Sequence, residues 1–255
     1  MSWRWVFLIN LPIGAIAFVV TSSVLHLPHV RRSHRIDVEG AMLLVASMSC
    51  LLLSLVWGGT EYPWSSFVIS GLALSGTLLL IVFLLWESRV AEPILPLRLF
   101  RDQIFSVSSA LGFLTGCALF GSVIFLPLFL QVVIGVSATS SGLLLLPLTA
   151  GIVIGSVGSG RIISRTGRYR MWPIGGLAFA SVGAFLLTLM QAETPLLYIS
   201  LYTIILGLGV GATMQVTVLV AQNTVEHSDL GIATSAIQFF RQMGGAFGTA
   251  AFGAI

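Results

Sequence analysis

The sequence of 255 residues contains no lysine: all twelve of its basic side chains are arginine. This removes the phosphate-cradling lysine of a P-loop and the Schiff-base lysine of amine chemistry. Charge of either sign is scarce, at 8% of residues against roughly 25% in soluble domains. With 56% of residues hydrophobic, no water-facing fold could hide so much apolar surface, so the solvent implied is lipid. Cysteine is nearly absent, and Cys50 and Cys117 both fall inside apolar runs, which predicts two free thiols and no disulfide. No GxSxG elbow, no HExxH and no pair of carboxylates within an apolar run is present, so enzymatic acid/base or nucleophilic chemistry is not expected. The GLGVG run at Gly207 lacks the preceding strand and following acid of a nucleotide site. His26, His29 and His34 are close in sequence, but Arg31, Arg32 and Arg35 interleave them and would repel a metal ion. No cofactor and no metal are expected.

What is there is a series of bilayer-length apolar runs joined by short polar connections. The runs are about 5–27, 38–59, 65–86, 105–133, 142–159, 171–189, 196–221 and 230–255, most of them near the ~20 residues a helix needs to cross a bilayer. The fourth is expected to break or kink near Pro127. A signal peptide at the start is disfavoured, because apolar character continues past any cleavage site. Barrel strands would be half as long, so the spans read as helices. The connection 87–103 carries three arginines, two prolines and an apolar stripe (Ile94, Leu95, Leu97, Leu99, Phe100), which suggests a short amphipathic segment in the interface.

The arginines give the orientation. Connections beginning at His26, Glu87 and Gly160 hold three, three and four of them, whereas those at Thr60, Ile134 and Gln191 hold none. Only Arg4 lies on the other side. The alternation predicts a multi-pass protein of the cell membrane with its arginine-rich loops in the cytoplasm. Because the arginines sit in these connections and form no solvated patch, nucleic acid is not an expected partner.

The densest connection, GRIISRTGRYR from Gly160 to Arg170, holds Arg161, Arg165, Arg168 and Arg170. Gly160, Ser164, Arg165, Gly167 and Arg168 fit the spacing G, three residues, acid, R, any, G, R, with Ser164 in place of the acid. This resembles the cytoplasmic signature of the major facilitator superfamily. Three further stretches sharpen the resemblance: WRWVFLINLPIG at Trp3, FLPLFLQVVIGVSATSSGLLLLPLTAG at Phe125, and LGIATSAIQFFRQMGGAFG at Leu230. They are similar to the sixth, ninth to tenth and thirteenth helices of the fourteen-helix drug:proton antiporter branch.

The resemblance implies an all-α membrane protein with part of the major facilitator fold, about eight transmembrane helices. Residues 1–27 would be the last helix of the N-terminal bundle, 28–103 the two linker helices with their cytoplasmic connectors, and 104–255 about five of the six helices of the C-terminal bundle. Both ends look abrupt, and a fragment of a longer protein is expected, whose missing N-terminal helices would be a partner and would carry the proton-coupling carboxylates. The implied activity is proton-driven efflux of a small apolar or cationic compound by alternating access, with the bilayer, protons and a small-molecule substrate as partners. In that reading the turn from Gly160 to Arg170 latches one bundle against the other, with Gly160 and Gly167 shaping it, while the serine at 164 lacks the charge of the usual acid. A second reading stays open: a non-transporting sensor or scaffold that keeps the fold, since no Asp or Glu lies deep within any run.

Polar residues inside the runs are costly and mark candidate positions. Arg241, Gln215, Gln131 and Asn10 are candidates for a transport cavity; the glutamines, with Gln222, could instead bridge helices by hydrogen bonds. Gly112 with Gly116, Gly151 with Gly155, Gly207 with Gly211 and Gly244 with Gly248 form GxxxG pairs that predict close helix contacts.

Overall fold

A computed structural model describes residues 8–24, 37–90 and 92–254. The chain divides into two units, residues 1–35 and 36–255. The described part of the first is one helix, α1 (Asn10–Val24), apolar and exposed along its length. The histidines and arginines from His26 to Arg35, and Trp3 to Phe7, lie outside the described residues.

The second unit is helical throughout. A hairpin of α2 (Val38–Trp57) and α3 (Phe67–Glu87) is followed by a connector with a 3-10 turn, Leu97–Arg101, and then by α4 (Gln103–Val132). After it come the short α5 (Ala138–Leu143), α6 (Leu146–Thr166), α7 (Met171–Thr188), α8 (Leu196–Thr224), a 3-10 turn at His227–Asp229, and α9 (Leu230–Gly253). Helix starts carry their own signals. Asp37 accepts the Gly40 N–H at 2.9 Å, and Asp102 accepts the amides of Ile104 and Phe105 at 2.7 and 3.1 Å, each satisfying donors that the helix leaves open.

By length and composition, six described helical segments can cross a bilayer: α2, α3, α4, residues 138–166, α7 and α8. The first and last of the eight expected runs are seen as the 15-residue α1 and the 24-residue α9, the latter carrying Arg241. Of the break or kink expected at Pro127, the break is absent, since Pro127 sits inside one continuous helix. Two expectations need correction. The arginine segment is mostly not a turn: α6 runs on to Thr166, so Gly160, Arg161, Ser164 and Arg165 are helical, and only Gly167 to Arg170 connect. The reason is that nothing in RIISRT breaks a helix, whereas Gly167 takes the left-handed conformation at φ 67° that ends one. The connector, second, does not simply lie in the interface: Leu95 and Leu99 are buried with Phe83, Phe105, Ala233 and Ile237, while Ile94 stays exposed.

Three helix pairs organise residues 103–253: α4 lies along α9, and α6 and α7 both lie along α8. The α4–α9 and α6–α8 pairs form two seams. Both seams are glycine seams. A Cβ at Gly244 would collide with the Phe113 carbonyl, and one at Gly116 with the Arg241 carbonyl. At the other seam Gly151 faces the Ile204 carbonyl, Gly155 the Leu208 carbonyl, Gly207 the Leu148 carbonyl and Gly211 the Ile152 carbonyl. All four GxxxG pairs therefore serve close packing. Cys117, a free thiol on α4, donates to the Gly244 carbonyl at 3.0 Å across the first seam; Cys50 is likewise free.

Substitution checks the seams directly. Gly244→Ala or Gly155→Ala is expected to cost about 1–3 kcal/mol through forced separation of backbones. Gly158→Ala, whose Cβ would meet nothing within 4 Å, serves as the control and should be neutral or mildly stabilising. Thermal unfolding of the purified full-length protein in detergent measures all three.

Candidate functional site

The arginine segment forms the end of α6 and the link to α7. Its cap is tight: the Gly167 N–H donates to the Ile163 carbonyl at 2.8 Å. Around it Arg161, Arg165, Arg168 and Arg170 are all exposed, and none of them forms an ion pair among the described residues. Ser164 does not stand in for an acid facing these cations, since its hydroxyl donates to the Arg161 carbonyl of its own helix at 2.9 Å. Gly160 is half-buried and faces α8, where its missing Cβ leaves room for the Gln215 side chain, 3.5 Å from the position a Cβ would take. Gly160 thus lies within α6 at ordinary contact distance from α8 and does not shape the turn.

Behind the link lies a cavity of about 1030 Å³ between α4, α7 and α8, with Arg168 and Arg170 on its wall and Ile104, Leu111, Ile174 and Val220 among its apolar residues. No carboxylate lines it. A positive rim over an apolar hollow is what these elements create, because α7 begins directly after the arginines.

The other candidates are scattered. Gln131 Nε2 donates to Ser141 Oγ at 2.8 Å, tying the end of α4 to α5, and Gln222 Nε2 donates to Thr234 Oγ1 at 2.9 Å, tying α8 to α9. These two are helix bridges. Gln215 is exposed on α8, and Arg241 is half-buried on α9 with its backbone against Gly112 and Gly116. No described hydrogen bond joins Gln215 to Arg241. Asn10 is exposed at the start of α1, in the first unit.

The structure adds polar contacts that the sequence reading missed, all near the connector. Arg98 Nη2 donates to both carboxylate oxygens of Asp229, at 3.0 and 2.9 Å, across 131 residues of chain. The Trp86 indole N–H donates to both oxygens of Asp37, at 3.1 and 3.2 Å, pinning the end of α3 to the start of α2. Glu87 Oε1 accepts the Leu95 N–H at 3.3 Å. Their shared signal was an acid or arginine at the edge of an apolar run, where charge is least costly and most easily paired.

The sequence matches the family model of the Major Facilitator Superfamily over residues 1–249. Among curated proteins it is 42% identical over 257 residues to an uncharacterized MFS-type transporter of Mycobacterium tuberculosis, covering 100% of this chain and 37% of that one. It is 34% identical over 255 residues to the multidrug transporter protein MdtP of Bacillus subtilis, and 34% over 257 residues to multidrug resistance protein 3 of the same organism. Each match covers 100% of this chain, and 47% and 50% of those relatives. The chain thus spans half or less of the length of these relatives.

The Arg98–Asp229 pair makes an unequal prediction. The Asp229 side chain is 10% exposed and that of Arg98 66%, so Arg98→Ala strands a nearly buried anion, whereas Asp229→Asn leaves only a solvated cation. Arg98→Ala should lower stability by on the order of 1 kcal/mol, a figure kept small by Arg98's exposure. Adding Asp229→Asn to it should restore most of the loss, read as the thermal midpoint of each variant.

Proposed function

The chain belongs to the major facilitator superfamily, and from that premise we propose that it is part of a proton-driven exporter of small apolar or cationic compounds. The relatives named as multidrug transporters, similar along the whole chain, support the export reading. The observation that carries the mechanism is the pairing of two rigid glycine seams with a cluster of exposed, unpaired arginines at the end of α6. Helices in contact through their backbones move as one body, as rocking of a bundle requires. Arginines left without a partner within that body are free to meet a carboxylate or carbonyl of another, closing one side when they engage.

In this reading residues 103–253 form most of one bundle, α2 and α3 are linker helices, and α1 belongs to the other bundle. Arg165, Arg168 and Arg170 serve the latch on the cytoplasmic side, with Arg161 beside them. Gly167 supplies the cap that aims them. Gln215 and Arg241 face the transport cavity as polar groups available to a substrate or to the opposite bundle, and export is driven by protons moving inward through carboxylates outside this chain. The second reading, a sensor that retains the fold, draws on one observation: Glu39 and Glu87 lie at the ends of α2 and α3, and no described span has an acid in its middle.

Efflux of a fluorescent cationic dye from cells lacking their own exporters separates the readings. The full-length protein should expel the dye, a protonophore should abolish this, and an Arg165→Ala, Arg168→Ala double variant expressed at equal level should lose at least about tenfold in rate, the ~1.4 kcal/mol of one charge-assisted contact. Efflux that survives the protonophore would rule out proton coupling. Efflux untouched by the double variant would rule out the latch. Orientation is checked by single cysteines: one at Arg168 should react with a membrane-impermeant thiol reagent only in inverted vesicles, and one at Glu61 only in intact cells.

A further inference from the structure

Glu87 is the last residue of α3, only 3% exposed, and Oε2 is a buried side-chain oxygen with no hydrogen-bond partner among the described residues. Its other oxygen accepts the Leu95 N–H at 3.3 Å. No arginine or histidine pairs with it among the described residues, and the charged group set against it is another anion, Asp37, at the start of α2. From the connector it meets only backbone, the amides of Ile94 and Leu95. The neighbouring connector and bundle residues are apolar, with Phe83, Leu95 and Leu99 in one buried cluster with Ala221, Ala233 and Ile237.

In that setting burial and the facing anion Asp37 oppose an ionised carboxylate, and only backbone amides favour one. Burial strips its water and offers only backbone amides in return, Asp37 repels it, and the carbonyl end of α3 presents negative potential where it sits. A neutral carboxylic acid removes all three costs while keeping the contact to Leu95. We propose that Glu87 is a proton-binding site of the linker, carrying a proton while the connector is seated over it and releasing it to water when the connector lifts.

The consequence is a coupling. Seating residues 92–102 buries Leu95 and Leu99 against the bundle and closes water off from Glu87, so proton binding and seating favour each other by linkage. Deprotonation requires the Leu95 amide to open, because the charge must find water. The Trp86 to Asp37 contact beside it holds the opposing anion in place, so Asp37 tunes the site without closing it.

Infrared spectroscopy of the full-length protein in lipid reads the proton itself. Wild type at neutral pH should show the C=O stretch of a protonated carboxylic acid that Glu87→Gln lacks, and the band should vanish as pH rises. Hydrogen exchange of the peptide containing Leu95, corrected for the intrinsic pH dependence, should quicken over the same pH range in wild type and stay constant in Glu87→Gln. In Asp37→Asn, which removes the facing anion, the band should disappear at lower pH than in wild type. A Glu87→Gln spectrum identical to wild type, or a band unmoved by Asp37→Asn, overturns the proposal. Because the readout is protonation and not transport, it fails or succeeds separately from the export reading.

Discussion

The structure depends on backbone-to-backbone contact between helices in a solvent that gives apolar side chains no reason to leave it. In lipid, burying leucine against leucine gains little, and association rests on how closely two helices can approach. The two seams meet that need in the same way. Gly116 and Gly244 bring α4 against α9, and Gly151, Gly155, Gly207 and Gly211 bring α6 against α8, at separations where a Cβ on either side would strike a carbonyl. The burial pattern agrees: α8, gripped by α6 and α7, is the most enclosed helix, while α2, α3 and α7 keep large apolar side chains on the surface.

Close packing inside the spans displaces polar chemistry to their ends. The described carboxylates lie outside the spans or in their terminal turns, and those that make side-chain contacts do so by holding elements together: Asp37 holds α3 to α2, Asp102 caps α4, and Asp229 holds the connector to the start of α9. Two arginine settings contrast. Arg98 is engaged, whereas the four at the end of α6 are exposed and form no ion pair among the described residues. The first is structural. The second is a set of exposed donors, and the proposed latch rests on this difference in partnering more than on the number of arginines.

Glu87 is the exception among the acids. It is nearly buried and meets no cation among the described residues, at the joint between the α2–α3 hairpin and the connector. The proposed proton binding would give this junction a chemical state of its own, set by whether the connector is seated.

The class of protein was legible in composition, since a chain with this much apolar sequence and so few charges has only lipid to dissolve in. Span positions, the glycine pairs and the superfamily could be read from short-range patterns, because run length, GxxxG spacing and arginine placement are local properties that lipid constrains directly. The end of α6 was misjudged: arginines suggested a turn, but arginine favours helix, and only Gly167 stops it. Partnering was beyond the sequence altogether. That Arg98 meets Asp229 across 131 residues, that Gln131 and Gln222 bridge helices while Gln215 does not, and that Glu87 is sealed with one oxygen unmated depend on which helix faces share a seam. Sequence therefore determined the solvent, the element type and the places where helices could touch; the tertiary structure decided which charges were paired, because pairing depends on distances that only packing sets.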